Sequence, residues 1–206
     1  MNVYFDNAST TKVRDDVVND ISCVLKDCFG NPSSHSFGRS AKSYIETSRK
    51  SISKIINCDP GEIIFNSGGT ESDNSILKCA VKDLGVKHII SSKIEHHAIT
   101  HTLDELKLQG VFVHYVKLTE NGNVDIDSLE YLLRLNDEPK LVTLMYINNE
   151  IGNILDVQSV SNLCQKYDSF FHTDAVQAVG HYKIDLKSII FSISLDVRYW
   201  LEPPLS

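Results

Sequence analysis

The 206-residue sequence predicts an α/β protein in which helices cover both faces of a mostly parallel sheet. Two patterns carry this prediction. Short apolar segments alternate along the chain with longer segments whose apolar residues recur at helical spacing. The longest apolar segment, 141–147, is nearly continuous, as expected for a strand that is buried on both faces.

The first third of the chain is predicted to be mainly helical. Its apolar residues follow helical spacing, and Gly- and Pro-containing segments interrupt the pattern. In order, the predicted elements are an extended start at 3–5, a helix around 17–25, a break at 30–34, a helix over 39–57, a turn at 59–61 and a short buried strand at 63–65.

The rest of the chain is predicted to alternate regularly between strand and helix. A helix begins near Thr70, and each later strand is followed by a helical segment. The predicted strands are 88–90, 111–116, 141–147 and 170–173, and the later helices are 98–108, 129–135 and 157–167. Ligands of parallel sheets bind beyond the carboxyl ends of the strands. The polar residues that follow the strands are therefore the candidates for a site, namely 66–71, 95–97, 148–152 and 174–177.

Composition excludes several classes of partner. The formal net charge is −7 and no Lys/Arg cluster stands out, so a nucleic-acid partner is not expected. The N-terminus does not resemble a secretory signal, and segment 141–147 is too short to cross a bilayer, so no membrane partner is expected. Five scattered cysteines without a CxxC pair predict reduced thiols in the cytoplasm and no metal site.

Segment 66–72 is a candidate phosphate site because it joins a predicted strand to a predicted helix. Gly68 and Gly69 allow the backbone to approach a ligand closely, and the N-terminus of a helix favours an anion. The segment lacks the GxxxxGK[ST] pattern of a nucleotide P-loop. A turn followed by a helix cap, without any ligand, explains the same residues.

Asp174 ends a predicted buried strand, where a carboxylate is costly unless it meets a donor or a cation. A protonated pyridine nitrogen would be such a partner, and Gln177 could address the same ligand. Capping of the following turn is the alternative. Asn148 and Asn149 suit recognition of the polar edge of a ligand, although a plain turn is equally compatible.

Histidines follow the strand at 88–90. A histidine at a strand end can stack on a flat ring or handle protons, which suits His96. His97 and His101 lie four residues apart on a predicted helix and imitate half of a metal site. No HExxH pattern or third ligand accompanies them, so we interpret them as capping or surface residues and predict no metal.

Together these motifs resemble one known family, the NifS-like cysteine desulfurases of the class V aminotransferase group. The resemblance covers about residues 2–194, in the same order and with the same spacing. The segments that carry it are Asp6-Asn7-Ala8-Ser9-Thr10-Thr11, Phe29-Gly30-Asn31-Pro32-Ser33-Ser34, Ser67-Gly68-Gly69-Thr70-Glu71-Ser72-Asp73-Asn74, Glu95-His96, Asn148-Asn149-Glu150-Ile151-Gly152 and Asp174-Ala175-Val176-Gln177-Ala178-Val179-Gly180.

The resemblance implies the type I fold of pyridoxal 5′-phosphate (PLP) enzymes, used as a homodimer. It assigns a role to each of six residues and makes the cofactor ring an electron sink. Gly69 and Thr70 would hold the phosphate, His96 would stack on the ring, Asn149 would touch the ring edge or the substrate, Asp174 would pair with the ring nitrogen, and Gln177 would bond the ring hydroxyl.

The sequence departs from the family after residue 194. The family continues with a Ser-x-His-Lys segment whose lysine forms the Schiff base with PLP, whereas this sequence has no lysine after Lys187. We therefore predict a PLP-binding large domain, incomplete at its C-terminus, over 1–194 and a divergent tail over 195–206. The small C-terminal domain, with the cysteine that accepts sulfur, is expected to be absent, so this chain is expected to be inactive.

Three hypotheses of function follow from the resemblance. In the first, the complete protein converts L-cysteine to L-alanine and enzyme-bound sulfur for iron–sulfur cluster or thio-cofactor assembly, together with sulfur-acceptor or scaffold proteins. In the second, the chain is a non-catalytic module that binds PLP or docks on a full-length partner. In the third, it carries another class V reaction, such as selenocysteine lysis or amino transfer.

Overall fold

The computed structural model describes residues 3–31 and 35–188 and the backbone of 192–194. These residues form two compact units. The first comprises the described residues up to 65 together with 180–187, and the second comprises 66–179, residue 188 and the strand at 192–194. The second unit contains all six predicted site residues. The tail predicted over 195–206 lies outside the described residues.

The first unit is helical, as predicted. Helix α1 spans Asp15–Asp27, helix α2 spans Ser36–Ile55, and a short 3₁₀ helix spans Pro60–Glu62. Helix α2 begins three residues earlier than predicted. The reason is that the ring of His35 caps it, with Nδ1 accepting a hydrogen bond from the N–H group of Gly38 at 3.1 Å.

The strand predicted at 63–65 is wrong, and 3–5 also have no strand pairing. Ile64 is 84% exposed, so this apolar run is not buried. Arg49 of α2 holds the segment instead, since its guanidinium donates a hydrogen bond to the carbonyl of Ile63 and lies 4.9 Å from the ring centre of Phe65. The apolar run is therefore explained by contact with one arginine rather than by a sheet.

The second unit contains one five-stranded parallel sheet, which confirms the predicted fold class. Its strands lie in the order β2-β1-β3-β4-β5. In chain order they are β1 (His88–Ser91), β2 (Phe112–Tyr115), β3 (Lys140–Thr143), β4 (Phe170–Asp174) and β5 (Ser192–Ser194). The helices that connect them are α3 (Gly69–Asp83), α4 (His97–Leu108), α5 (Ile126–Leu133) and α6 (Val157–Lys166).

Helices cover both faces of this sheet, because neighbouring residues of a strand face opposite sides. Ile89 of β1 packs in a cluster with Leu77 of α3 and Leu103 of α4. The next residue, Ile90, packs on the other face in a cluster with Leu129 of α5 and Val160 of α6. This two-sided burial explains why the strands read as continuous apolar runs rather than as alternating patterns.

The strand order reverses at β1, which pairs with β2 on one side and with β3 on the other. In open α/β sheets, ligands bind outside the carboxyl ends of the strands at such a reversal. The loops that follow β1 and β3 flank this point. They hold residues 92–96 and 144–149, so the topology places two of the candidate segments beside each other. No helix among the described residues could cross a membrane.

Candidate active site

Helix α3 begins at a glycine pair. Gly68 is the N-cap and has φ +148°, a conformation that other residues rarely adopt, and no side chain caps the first turn. Gly69 is buried and Thr70 is exposed. The first N–H groups of the helix are consequently not used by a side-chain cap, which leaves them for an anion.

His96 caps helix α4, at the carboxyl end of β1. Its Nδ1 atom accepts a hydrogen bond from the N–H group of Ala98 at 3.1 Å. The neutral ring therefore carries its proton on Nε2. The side chain is exposed, so capping does not bury it. His97 and His101, which we predicted to be capping or surface residues, form a ring pair 5.2 Å apart on the same helix.

An open pocket of about 290 Å³ brings Thr70 and His96 together. It lies between the start of α3 and the first turns of α4. Thr102 closes part of its wall, and its hydroxyl lies 2.8 Å from Oδ1 of Asn74 and 2.8 Å from the carbonyl oxygen of Ala98, so its one proton serves these two acceptors. The residues that line the pocket are Thr70, Asn74, His96, His97, Ala98, His101, Thr102 and Glu105.

Asp174 ends β4 and is 4% exposed. One carboxylate oxygen accepts a hydrogen bond from the N–H group of Val176 at 3.0 Å. Burial raises the pKa of Asp174, while the bond from Val176 and the charge of His96 act in the opposite direction. The structure thus places a desolvated carboxyl group within electrostatic reach of His96.

The two asparagines after β3 have different environments. Asn148 is buried, and its amide donates to the carbonyl of Ile94 at 2.7 Å while its oxygen accepts from the N–H groups of Glu150 and Ile151. Asn149 is half-buried and donates to Glu150 at 2.9 Å. Asn148 therefore folds the loop, whereas Asn149 lies nearer the solvent. Gln177 is half-buried in the turn after β4.

A buried polar cluster lies behind these residues. Glu95 is 9% exposed, and one of its carboxyl oxygens accepts a hydrogen bond from the hydroxyl of Ser92 at 2.5 Å. Burial first, and then the charges of Asp174 and Asp73, raise the pKa of Glu95 to about 8. His172 of β4 is fully buried, bonds Thr143 at 2.9 Å and lies 3.6 Å from Asp73. Burial lowers its pKa to about 3, so its ring is neutral.

Comparison with known proteins identifies the family. Residues 3–193 match the aminotransferase class-V family. The chain belongs to this family. A cysteine desulfurase IscS of Dictyoglomus turgidum is 43% identical to it over 203 residues, which are 96% of this chain and 51% of the relative. A putative cysteine desulfurase, IscS 1 of Bacillus subtilis, is 41% identical over 90% of this chain and 49% of its own length.

Solved structures agree with this assignment. A NifS-like protein superposes with a TM-score of 0.92 at 33% identity, covering 99% of this chain and 57% of that one. SspA, solved in complex with cysteine, gives a TM-score of 0.90 at 30% identity, over 98% and 59% of the two chains. The chain spans about half the length of the curated relatives it matches.

Class V aminotransferases use PLP, so the polar groups of this family member can be compared with what that cofactor needs. The structure brings Thr70 and His96 into one pocket and places Asp174 near His96. Asn149 and Gln177 follow neighbouring strands but do not line that pocket. Within the described residues, no three His, Cys, Asp or Glu side chains have the geometry of a metal site.

Sequence reasoning assigned no role to Glu95, Asp73 or His172, which form the buried cluster. Each has a visible signal in the sequence. Glu95 directly precedes His96, Asp73 follows the glycine pair on α3, and His172 lies two residues before Asp174 in the same strand. A charged or polar residue in or beside an apolar strand must find a buried partner, and that requirement could have drawn attention to Glu95 and His172.

Proposed function

We propose that this chain forms the PLP-binding part of a cysteine desulfurase. The complete protein would take sulfur from L-cysteine and yield L-alanine and enzyme-bound sulfur. The observation that carries the proposal is the buried carboxyl group of Asp174 at the carboxyl end of the sheet, within electrostatic reach of His96. The names of the similar curated proteins, which are cysteine desulfurases, support the choice of reaction.

Asp174 would hold the ring nitrogen of PLP. A carboxyl group that is 4% exposed is costly to ionise, and a protonated ring nitrogen would offset this cost with a charge-assisted hydrogen bond. The anion would in turn keep the nitrogen protonated. Bound PLP would then withdraw electrons from the substrate carbon atom next to it, and the Asp174 charge would sustain that withdrawal.

Gly69 and Thr70 would hold the phosphate. The glycine at the N-cap, φ +148° in Gly68, leaves the first turn of α3 without a side-chain cap. Backbone N–H groups at the start of a helix bind phosphate through hydrogen bonds and through the positive end of the helix dipole. The hydroxyl of Thr70, which lines the pocket, would add one more donor.

His96 would stack on the ring, and two amides would bond its edge. The cap bond from Ala98 fixes the orientation of the His96 imidazole and its proton position, so the exposed ring is held ready for stacking. Asn149 would contact the ring edge or the substrate, and Gln177 would bond the ring hydroxyl. Both residues are half-buried and lie after neighbouring strands, at the carboxyl edge of the sheet.

The remaining features of the proposal concern the whole protein. L-cysteine as substrate is supported by SspA, a structural neighbour that was solved in complex with cysteine. We further propose that the complete protein is a homodimer that passes sulfur to acceptor or scaffold proteins, as the family resemblance implies. We place it in the cytoplasm because five scattered cysteines without a CxxC pair suit a reducing compartment.

A binding experiment tests the site in this chain. The probe is 4′-deoxypyridoxine 5′-phosphate, which lacks the aldehyde and so cannot react with surface lysines. We expect Asp174→Asn to weaken binding roughly tenfold or more, because one charge-assisted hydrogen bond is lost. Asp127→Asn, a change of an exposed aspartate on α5, serves as the matched control. Equal affinity in Asp174→Asn and the parent would refute the assignment.

A chimera tests the reaction. Residues 1–194 are joined to the corresponding remainder of the Dictyoglomus turgidum relative, and alanine release from L-cysteine is measured with and without PLP. We expect PLP-dependent release that Asp174→Ala strongly reduces. A chimera that binds PLP and releases alanine from L-selenocysteine but not from L-cysteine would overturn the choice of substrate.

A further inference from the structure

Glu95 is a buried carboxyl group near the proposed ring site, and two hydrogen bonds hold it. The hydroxyl of Ser92 donates to one of its oxygens at 2.5 Å, and the backbone N–H group of Met145 also bonds its carboxyl group. Its second oxygen is buried and has no hydrogen-bond partner among the described residues. If Glu95 were ionised, this buried oxygen would carry negative charge without a partner. Burying an unpaired charged oxygen costs more free energy than burying an unpaired neutral one.

Burial and the charges of Asp174 and Asp73 favour the neutral form of Glu95, and they outweigh the hydrogen bonds from Ser92 and Met145, which favour its ionised form. Asp174 of β4 and Asp73 of α3 are the charges that act on it, and both are negative when ionised. His172, which lies beside Asp73, is kept neutral by burial. The interaction of His96 with Asp174 lowers the pKa of Asp174 and so favours the ionised form of that carboxyl group. Two neighbouring carboxyl groups in a desolvated site repel each other when both are ionised. Ionising both therefore costs free energy, and one of them retains a proton.

The backbone explains why these two carboxyl groups meet. The strand β3 continues as an extended segment, whose residue Tyr146 donates its N–H group to the carbonyl of Asp174 at 2.9 Å. Met145, the residue before it, bonds Glu95. The loop after β1 is therefore fixed against β3, and β3 is fixed against the end of β4. Glu95 and Asp174 therefore lie at the same edge of the sheet, one on each side of the segment that follows β3.

We propose that Glu95 is a positioning residue that stays protonated, so that Asp174 is the single anion offered to the ring nitrogen. This inference rests on the proposed function, since it concerns the same ring site. The neutral carboxyl group fills the space beside Asp174 without adding a second negative charge. Glu95 and Asp174 together then carry one negative charge, which lies opposite the positive charge of the protonated ring nitrogen.

Two variants of Glu95 test the inference with the same probe, 4′-deoxypyridoxine 5′-phosphate. Glu95→Ala removes the bonds to Ser92 and Met145, and we expect it to weaken binding by about tenfold. Glu95→Gln keeps a neutral group of the same size, and we expect it to recover most of that loss. If Glu95 is instead an anion that contacts the ring, Glu95→Gln will weaken binding as much as Asp174→Asn does.

An infrared measurement separates a proton on Glu95 from a purely structural role. The C=O stretch of a protonated carboxyl group is resolved from the bands of ionised carboxylates. We expect this band in the parent chain at pH 7, and its loss in Glu95→Gln but not in the control Glu120→Gln, an exposed residue. The absence of a band that Glu95→Gln removes would overturn the inference.

The outcomes distinguish this inference from the proposed function. If the parent chain does not bind the probe, or if Asp174→Asn binds it equally well, the proposed function fails and this inference fails with it. If the parent binds and Asp174→Asn does not, but Glu95→Gln binds as weakly as Glu95→Ala, only the role of Glu95 is overturned.

Discussion

Replacing Glu95 with glutamine removes one titrating group while keeping the size of the side chain, so its effect on stability should depend on pH. Burial raises the pKa of Glu95 from 4.5 to about 8 in the folded protein. The folded state therefore holds this proton more tightly than the unfolded state does. Below pH 4.5 both states are protonated and there is no cost. As pH rises from 4.5 to 8, the parent chain loses stability, and above pH 8 the full cost is present.

The size of this effect follows from the two pKa values. The cost is about 1 kcal/mol at pH 5 and about 3 kcal/mol at pH 7, since each pKa unit corresponds to about 1.4 kcal/mol. Glu95→Gln has no such titration. We therefore expect the stability of the variant, relative to the parent, to increase by about 2 kcal/mol between pH 5 and pH 7.

The parent curve alone cannot reveal this effect, because His172 acts in the opposite direction. Burial lowers the pKa of His172 from 6.5 to about 3, so the unfolded state takes up a proton first as pH falls. That costs the folded state about 2 kcal/mol between pH 7 and pH 5. The two contributions nearly cancel in the parent, whereas the difference between parent and variant isolates Glu95.

Urea unfolding followed by far-ultraviolet circular dichroism at pH 5, 6, 7 and 8 measures the free energies. The control is Glu120→Gln, a change of an exposed residue, which should give a difference that does not vary with pH. If the difference between Glu95→Gln and the parent is also constant across this range, the raised pKa of Glu95 and the reasoning from it are refuted.

Three further predictions follow from the same structure. Replacing His172 with glutamine should remove a loss of about 2 kcal/mol between pH 7 and pH 5, so the contribution of Glu95 is no longer offset and the variant should be about 2 kcal/mol more stable at pH 5 than at pH 7. A free energy of unfolding that varies with pH as it does in the parent would contradict the pKa assignment. Leu103→Ala should lower the free energy of unfolding by about 2–5 kcal/mol, because the leucine side chain is fully buried. Leu108→Ala on the same helix should change this free energy little, because the side chain of Leu108 is 91% exposed. Asn148→Ala should lower the free energy of unfolding by about 1–3 kcal/mol, because the carbonyl of Ile94 and two N–H groups lose their partner. Asn149→Ala should leave the melting temperature nearly unchanged. Equal effects of the two changes would contradict the structure.

The fold of the second unit could be predicted from the sequence because burial on both faces leaves a local signature. Ile89 and Ile90 are adjacent and both fully buried, one on each face of β1, so the strand reads as an apolar run without needing knowledge of its partners. Residues 63–65 show the limit of this signature. They form an equally apolar run, but the run contacts a distant arginine, and no local pattern distinguishes the two cases.

The candidate site was predictable to the extent that it depends on strand ends. Thr70 lies at the start of a helix, whereas His96 and Asp174 lie at the carboxyl ends of strands, and the sequence predicted the order of these elements. Parallel strands bring their carboxyl ends to one edge of the sheet. The environment of Glu95 was not predictable. Its protonation depends on Asp73 and Asp174, which are 22 and 79 residues away in the sequence, and on the depth at which the loop is buried. Such electrostatic coupling exists only in three dimensions.

The single amide of Asn148 joins the loop after β1 to the loop after β3, and this has a consequence for how the protein can evolve. An insertion or deletion in either loop would move one end of the 2.7 Å bond to Ile94 and open the reversal point of the sheet. We therefore expect the lengths of the two loops, whose bonded residues are 54 apart in sequence, to change together.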